Sequence, residues 1–113
     1  VRKALKSDIV KRCLNARRYF REVDYFLPGK SGMRIGAIDL LIEEKDGLVI
    51  VDYKTDGVKP DEIERKMEEA KYREQARNYM NALVSRGLKV KEIVYYFVVP
   101  DECEVLCPEF LVS

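Results

Sequence analysis

The sequence predicts an α/β domain: a sheet of about four strands flanked by two helical segments. Three stretches carry that expectation. Two apolar runs, Ile35–Ile42 and Leu48–Lys54, flank Asp46-Gly47, a pair that marks a tight hairpin between β-type runs. Lys91–Val99 (KEIVYYFVV) is rich in β-branched and aromatic residues and is ended by Pro100. Between these, Pro60 to Arg86 reads as one long polar helix stopped by Gly87.

The chain of 113 residues suits one domain with a modest core, and 47% apolar against 36% charged residues suits a soluble globular protein. No run reaches transmembrane length and no secretory signal is present. Three cysteines, an odd number, do not suggest a disulfide framework, so a reducing cytoplasm is expected. The first residue is Val rather than Met, and residues 1–113 are therefore expected to be one domain of a longer protein.

In residues 1–21, Leu5, Ile9, Cys13 and Ala16 recur at helical spacing, which gives one side to pack on the sheet. The same stretch holds eight basic side chains against Asp8 alone. That local charge of +7 leaves −6 for the rest of a chain whose net charge is +1. Arg17 and Arg18 are thus candidates to track a phosphate backbone, with a solvated helix face as the alternative. Tyr19–Leu27 has the aromatic content of a strand and points Glu22 and Asp24 the same way. Pairing with Arg21 or Arg34 is the alternative role for either acid. Pro28-Gly29-Lys30-Ser31-Gly32 is a turn without the spacing of a phosphate-binding P-loop.

Each strand of the hairpin carries an acid where a buried strand should carry none, a costly choice unless the charge is paired or binds a metal. With Asp46 and Gly47 as the two loop residues, Lys45 pairs with Leu48, Asp39 lies opposite Lys54, and Leu41 lies opposite Asp52. Asp39, Asp52 and Lys54 would then share one face, within about 5–8 Å by Cβ spacing. A four-residue loop keeps this pairing; a three-residue loop would turn Asp39 to the other face unless a bulge restored the phase. Two carboxylates and a lysine on one face suit a hard divalent ion and phosphodiester hydrolysis. The alternative is a salt bridge across a hairpin. In the following helix, Pro60 sits at a first position with Asp61, Glu62 and Glu64 in the first turn. Ile63, Met67, Ala70, Met80, Leu83 and Val84 supply its apolar contacts, and Tyr72, Gln75 and Tyr79 share a face. A short edge strand is expected in the tail, residues 101–113.

Gly36-x-Ile38-Asp39, followed thirteen residues on by Asp52-Tyr53-Lys54-Thr55-Asp56, resembles the PD-(D/E)xK nuclease superfamily, and more narrowly the nuclease domain of RecB- and AddA-type helicase–nucleases. Arg21-Glu22-Val23 before it and Tyr72-x-x-Gln75-x-x-x-Tyr79 after it fit the same family. The resemblance covers residues 20–99. It implies a restriction-endonuclease-like core with a central mixed sheet, and Mg²⁺- or Mn²⁺-dependent, exonuclease-type DNA cleavage in repair or recombination. It implies DNA and helicase domains of the same or a partner chain as partners, and no membrane. Asp39, Asp52 and the carbonyl of Tyr53 would hold the metal; Lys54 would position or activate the attacking water; Glu22 and Gln75 would support them. Tyr72 and Tyr79, with Arg73 and Arg77 on the same helix, would contact nucleic acid beside Arg17 and Arg18. An inactive DNA-binding or bracing module, or another superfamily enzyme such as a resolvase or restriction endonuclease, is the alternative. Many such domains carry a metal-ligating histidine on a helix upstream of the first strand; this chain has no histidine. Some relatives hold an iron–sulfur cluster with one upstream and three downstream cysteines. Cys13, Cys103 and Cys107 echo that set but lack the fourth, and no cluster is expected.

Overall fold

The apolar runs fold into a five-stranded sheet with helices on both faces. A computed structural model describes residues 6–26, 33–55, 59–69, 71–98 and 100–107. In chain order the elements are α1 (Lys6–Asn15), β1 (Arg18–Phe26), β2 (Arg34–Glu44), β3 (Gly47–Lys54), a 3-10 turn (Pro60–Glu62), α2 (Ile63–Glu69), α3 (Tyr72–Val84), β4 (Val90–Phe97) and β5 (Glu102–Leu106). The strands lie in the order β1-β2-β3-β4-β5. All neighbours are antiparallel except β3 and β4, which run parallel and are joined across α2 and α3. This is the mixed, restriction-endonuclease-like α/β sheet expected, with β5 pairing along β4 as a fifth strand. Arg2, Lys3, Leu5, Leu27, the Pro28–Gly32 turn, Asp56-Gly57, Ala70 and Val99 lie outside the described residues.

The sheet is buried on both sides, so its strands are almost continuously apolar. On one face Ile9, with Cys13 and Ala16, seats α1 against Leu40, Ile42, Val49, Val51, Val94, Tyr96 and Cys103. On the other, Ile63 and Met67 of α2 and Ala76, Tyr79, Met80 and Leu83 of α3 cover Ile38, Leu41, Ile50, Ile93, Tyr95 and Phe97. The outer end of α1 is clamped by charge. Arg12 donates to Glu44 at 2.8 Å and to Glu92 at 2.9 Å, and Lys91 bridges Glu44 and Asp46 at 2.9 and 3.0 Å.

The hairpin register differs from the one expected. Leu40 opposes Val51 and Glu44 opposes Gly47, so Lys45 and Asp46 are the loop residues and Asp39 is displaced from Lys54 to the level of Asp52. The cause lies in β4. Gly47 sits under it with φ +151°, where an added Cβ would stand 3.0 Å from the Cβ of Lys91, and Leu48 N–H donates to the Lys89 carbonyl at 2.9 Å. The glycine is recruited into the strand by that close approach rather than used in the turn.

The expected single helix from Pro60 to Arg86 is also broken. Lys71 has φ +56° and ends the run between α2 and α3. An unbroken helix of that length would reach about 40 Å, as long as the longest dimension of the fold, 41 Å. The break lets two separate apolar stripes settle on one twisted sheet face.

A second irregularity shapes the site. On β1, Tyr19 and Arg21 face the cleft beside α1, whereas Val23 and Tyr25 pack under α3. On β2, Leu40 and Ile42 face α1, whereas Ile38 faces α3. Residues two apart should share a face; here both strands invert their pleat at one level, between the pairs Arg21–Leu40 and Val23–Ile38. Glu22 and Asp39 occupy that level, and Glu22 has φ +52°.

Candidate active site

β3 ends at the open edge of the parallel β3–β4 pair, and its last residues carry the charge. Asp52 is 5% exposed, the one buried charged residue among those described. Tyr79 of α3 donates its O–H to Asp52 Oδ2, and Lys54 Nζ lies 3.3 Å from Oδ1. Burial pushes the Asp52 carboxyl above the usual carboxylate range; the Tyr79 hydroxyl and the Lys54 charge pull the other way, and the nearby charge of Asp39 adds to the rise. Burial and the bond to Asp52 raise the Tyr79 phenol, which therefore stays a donor.

Lys54 is held on several sides. Its Nζ donates to Gln75 Oε1 at 3.4 Å and stands 4.2 Å from the centre of the Tyr72 ring and 5.4 Å from that of Tyr95. Asp52, Lys54, Gln75, Tyr72 and Tyr79 are thus brought together on the α3 side of the sheet, as the strand parity and the helical spacing required.

Asp39 is placed differently from expectation. The pleat inversion turns it to the other side of β3, where it lines a cleft of about 780 Å³ with Glu22, Arg21, Tyr19 and Tyr53. Its Oδ2 accepts the Tyr53 N–H at 2.8 Å. The two acids therefore approach across β3 instead of along one face, close enough for Asp39 to raise the Asp52 carboxyl. Glu22 lines the same cleft and makes no hydrogen bond or ion pair among the described residues.

Tyr79 is corrected as a nucleic-acid contact: it is 2% exposed, packed edge-on to Tyr25, with its hydroxyl committed to Asp52. Tyr72 is half-buried and stacks on Tyr95. Arg18 is engaged with Glu43 at 2.7 Å, while Arg17 beside it is exposed. Arg73 lies 3.9 Å from Glu64, and Arg77 is exposed. Asp24 pairs with Arg34 at 2.8 Å, the structural alternative for that acid.

Tyr95 was not singled out from the sequence. It sits beside Asp52 in the parallel register and reaches Gln75 and Tyr72 with its hydroxyl. The signal for it was a phenol inside an otherwise apolar strand, where a buried hydroxyl needs a partner.

The donors at the β3 end fit a hard cation. Among the described residues no three of His, Cys, Asp and Glu are grouped for a metal. The protein would offer two carboxylates and backbone carbonyl oxygen, leaving the remaining positions to water and phosphate, as Mg²⁺ prefers. Cys13, Cys103 and Cys107 are free thiols, with Cys103 buried under α1. Among the described residues no helix is long and apolar enough to cross a membrane.

Comparison with known proteins agrees with this geometry. The chain is 34% identical over 113 residues to an ATP-dependent helicase/nuclease of Acetivibrio thermocellus, an alignment covering 85% of this chain and 9% of that protein. It is 36% identical over 112 residues to the protein of the same name from Bacillus cereus, covering 80% and 9%. For that of Moorella thermoacetica it is 41% identical over 64 residues, covering 56% and 4%. The chain therefore spans less than a tenth of the length of these relatives. A sequence profile of the PD-(D/E)XK nuclease superfamily matches residues 6–105, α1 through most of β5, and with the acids, lysine and glutamine assembled around β3 the chain belongs to that superfamily.

Proposed function

We propose that the chain is one nuclease domain of a longer helicase–nuclease and that it hydrolyses DNA phosphodiester bonds with Mg²⁺ or Mn²⁺, in exonuclease fashion, during repair or recombination. The observation that supports this best is the buried Asp52 beside Lys54 and Gln75, with Asp39 within electrostatic reach across β3. A buried acid so strongly perturbed, next to a held lysine at an open sheet edge, is the arrangement of a working site rather than of a surface ion pair.

Asp39, Asp52 and the carbonyl of Tyr53 would hold the ion. When bound, it supplies positive charge to the scissile phosphate and lowers the pKa of water. The Tyr79 hydroxyl keeps Asp52 oriented. Lys54 presents its ammonium to charge developing on phosphate or directs the attacking water. Gln75 fixes Lys54, and Glu22 offers an unengaged carboxylate on the Asp39 side. Substrate approaches through the cleft beside Tyr53 and over the helix that carries Arg73 and Arg77, with Arg17 at the far rim.

The test uses the purified chain, a labelled oligonucleotide and a Mg²⁺ titration. Mg²⁺ should raise the melting temperature, and Asp39→Ala or Asp52→Ala should abolish that rise. Lys54→Ala should fold and bind DNA but cleave on the order of 10²–10³-fold more slowly. If both Asp variants bind the ion as wild type does, the metal site is wrong. Unchanged cleavage in Lys54→Ala would favour an inactive nuclease-like module and a contaminating activity.

A further inference from the structure

We propose that Tyr95 is a positioning residue for Lys54, acting through the amide of Gln75; the inference rests on the reading of Lys54 as the lysine that serves phosphodiester cleavage. Tyr95 is 0% exposed and stands next to Asp52 across the parallel β3–β4 pair. Its hydroxyl lies 3.0 Å from Gln75 Oε1 and 2.8 Å from the carbonyl oxygen of Tyr72. Its ring stacks on that of Tyr72, with centroids 5.3 Å apart and planes 13° from parallel. Lys54 Nζ meets the Tyr72 ring at 4.2 Å and the Tyr95 ring at 5.4 Å. The ammonium thus rests against two π faces while accepting partners draw it on the other sides, Asp52 at 3.3 Å and Gln75 at 3.4 Å.

The hydroxyl decides which end of the Gln75 amide faces Lys54. A phenol has one proton to give, and both nearby acceptors are carbonyl-type oxygens. When Tyr95 donates to Gln75 Oε1, that oxygen uses one lone pair on Tyr95 and one on Lys54, and the amide oxygen is locked toward the cation. When the proton goes to the Tyr72 carbonyl instead, the phenol oxygen is left to accept from the Gln75 NH₂, which turns that donor toward Lys54. Two donors would then face each other, and the ammonium would be displaced. The charge of Lys54 selects the first arrangement, and Tyr95 fixes it. Burial and the charge of Asp52 raise the Tyr95 phenol, so the proton stays available. Phe97 packs against the Tyr72 ring, 6.4 Å between centroids, and adds no polar atom to the set. A lysine that must meet developing charge loses rate steeply with small displacement.

Tyr95→Phe keeps the ring and removes only the hydroxyl. It should lower kcat about tenfold with KM within about twofold, the pattern of a displaced catalytic group. The ¹³C order parameter of the Lys54 Cε methylene should fall, while that of the exposed Lys59 stays unchanged. Gln75→Leu should give a similar loss, and Tyr95→Phe combined with Gln75→Leu should be no worse than Gln75→Leu alone, because both act along one path. An unaltered Lys54 order parameter, or losses that add in the double variant, would overturn the proposal. A Lys54 side chain that loosens without a change in kcat would uphold the positioning and refute the role given to Lys54 in cleavage. The order parameter decides the question even if the isolated chain does not cleave.

Discussion

Replacing Glu22 by Gly separates stability from function in this fold. Glu22 holds φ +52° at the level where β1 and β2 invert their pleat. A non-glycine residue in that region costs about 1–2 kcal/mol, from the clash of Cβ with the following carbonyl. Glycine avoids the clash but gives up roughly 0.5–1 kcal/mol of chain entropy on folding. The Glu22 side chain is exposed and forms no bond among the described residues, so its truncation removes little packing. Gly should therefore be more stable than Ala at this position by about 0.5–1 kcal/mol. With a urea slope of about 2 kcal/mol/M, the midpoint should move up by roughly 0.3–0.5 M. Both variants, and Glu22→Gln, should cleave DNA more slowly than wild type, because the carboxylate beside Asp39 is gone. The assay pairs urea unfolding followed by circular dichroism with single-turnover cleavage. If Gly is no more stable than Ala, the backbone is unstrained at Glu22. If cleavage survives in all three variants, Glu22 is a structural residue and the strain serves the sheet, not the site.

Three further outcomes follow from the geometry. Removing the hydroxyl with Tyr79→Phe leaves buried Asp52 short of a donor and should cost about 1–3 kcal/mol in metal-free protein, read by urea unfolding; a change below a few tenths would mean the hydroxyl does not serve Asp52. Arg12 first, then Lys91, holds the Glu44 carboxyl down to about 2 from the ordinary 4.5. A depressed folded value means the stability is complete above the ordinary carboxylate pKa and is lost as pH falls toward 2. Wild type should exceed Glu44→Gln at neutral pH and converge with it in acid, and a gap independent of pH would sink the clamp. Arg17→Ala should weaken DNA binding alike for all sequences and make the log–log salt slope shallower by about 0.9 on duplex or 0.7 on single strands; Arg18→Ala should do less, since Glu43 already holds Arg18, and an unaltered slope in Arg17→Ala alongside a loss in an Arg73/Arg77 double variant would move the contact to α3.

What the sequence by itself determined is what local pattern encodes. Alternating and continuous apolar runs specified β1 to β4, because strand residues must bury side chains with a period of two. The helical spacing of Tyr72, Gln75 and Tyr79 and the D-x-K on β3 placed Asp52, Lys54, Gln75 and Tyr79 on a shared side before any contact was known, since both periodicities are properties of the backbone. Four features lay beyond that reach. Gly47 joined β3 because β4 packs against it, a contact more than forty residues away in the chain. The Lys71 break answers to the size of the sheet that α2 and α3 cover. The pleat inversion at Glu22 and Asp39, which sends Asp39 across β3, depends on two strands distorting together. Tyr95 became part of the site only because β4 runs parallel to β3 and sets it beside Asp52. Each is a long-range contact, and its energy appears only when distant segments meet, so the tertiary structure alone could decide it.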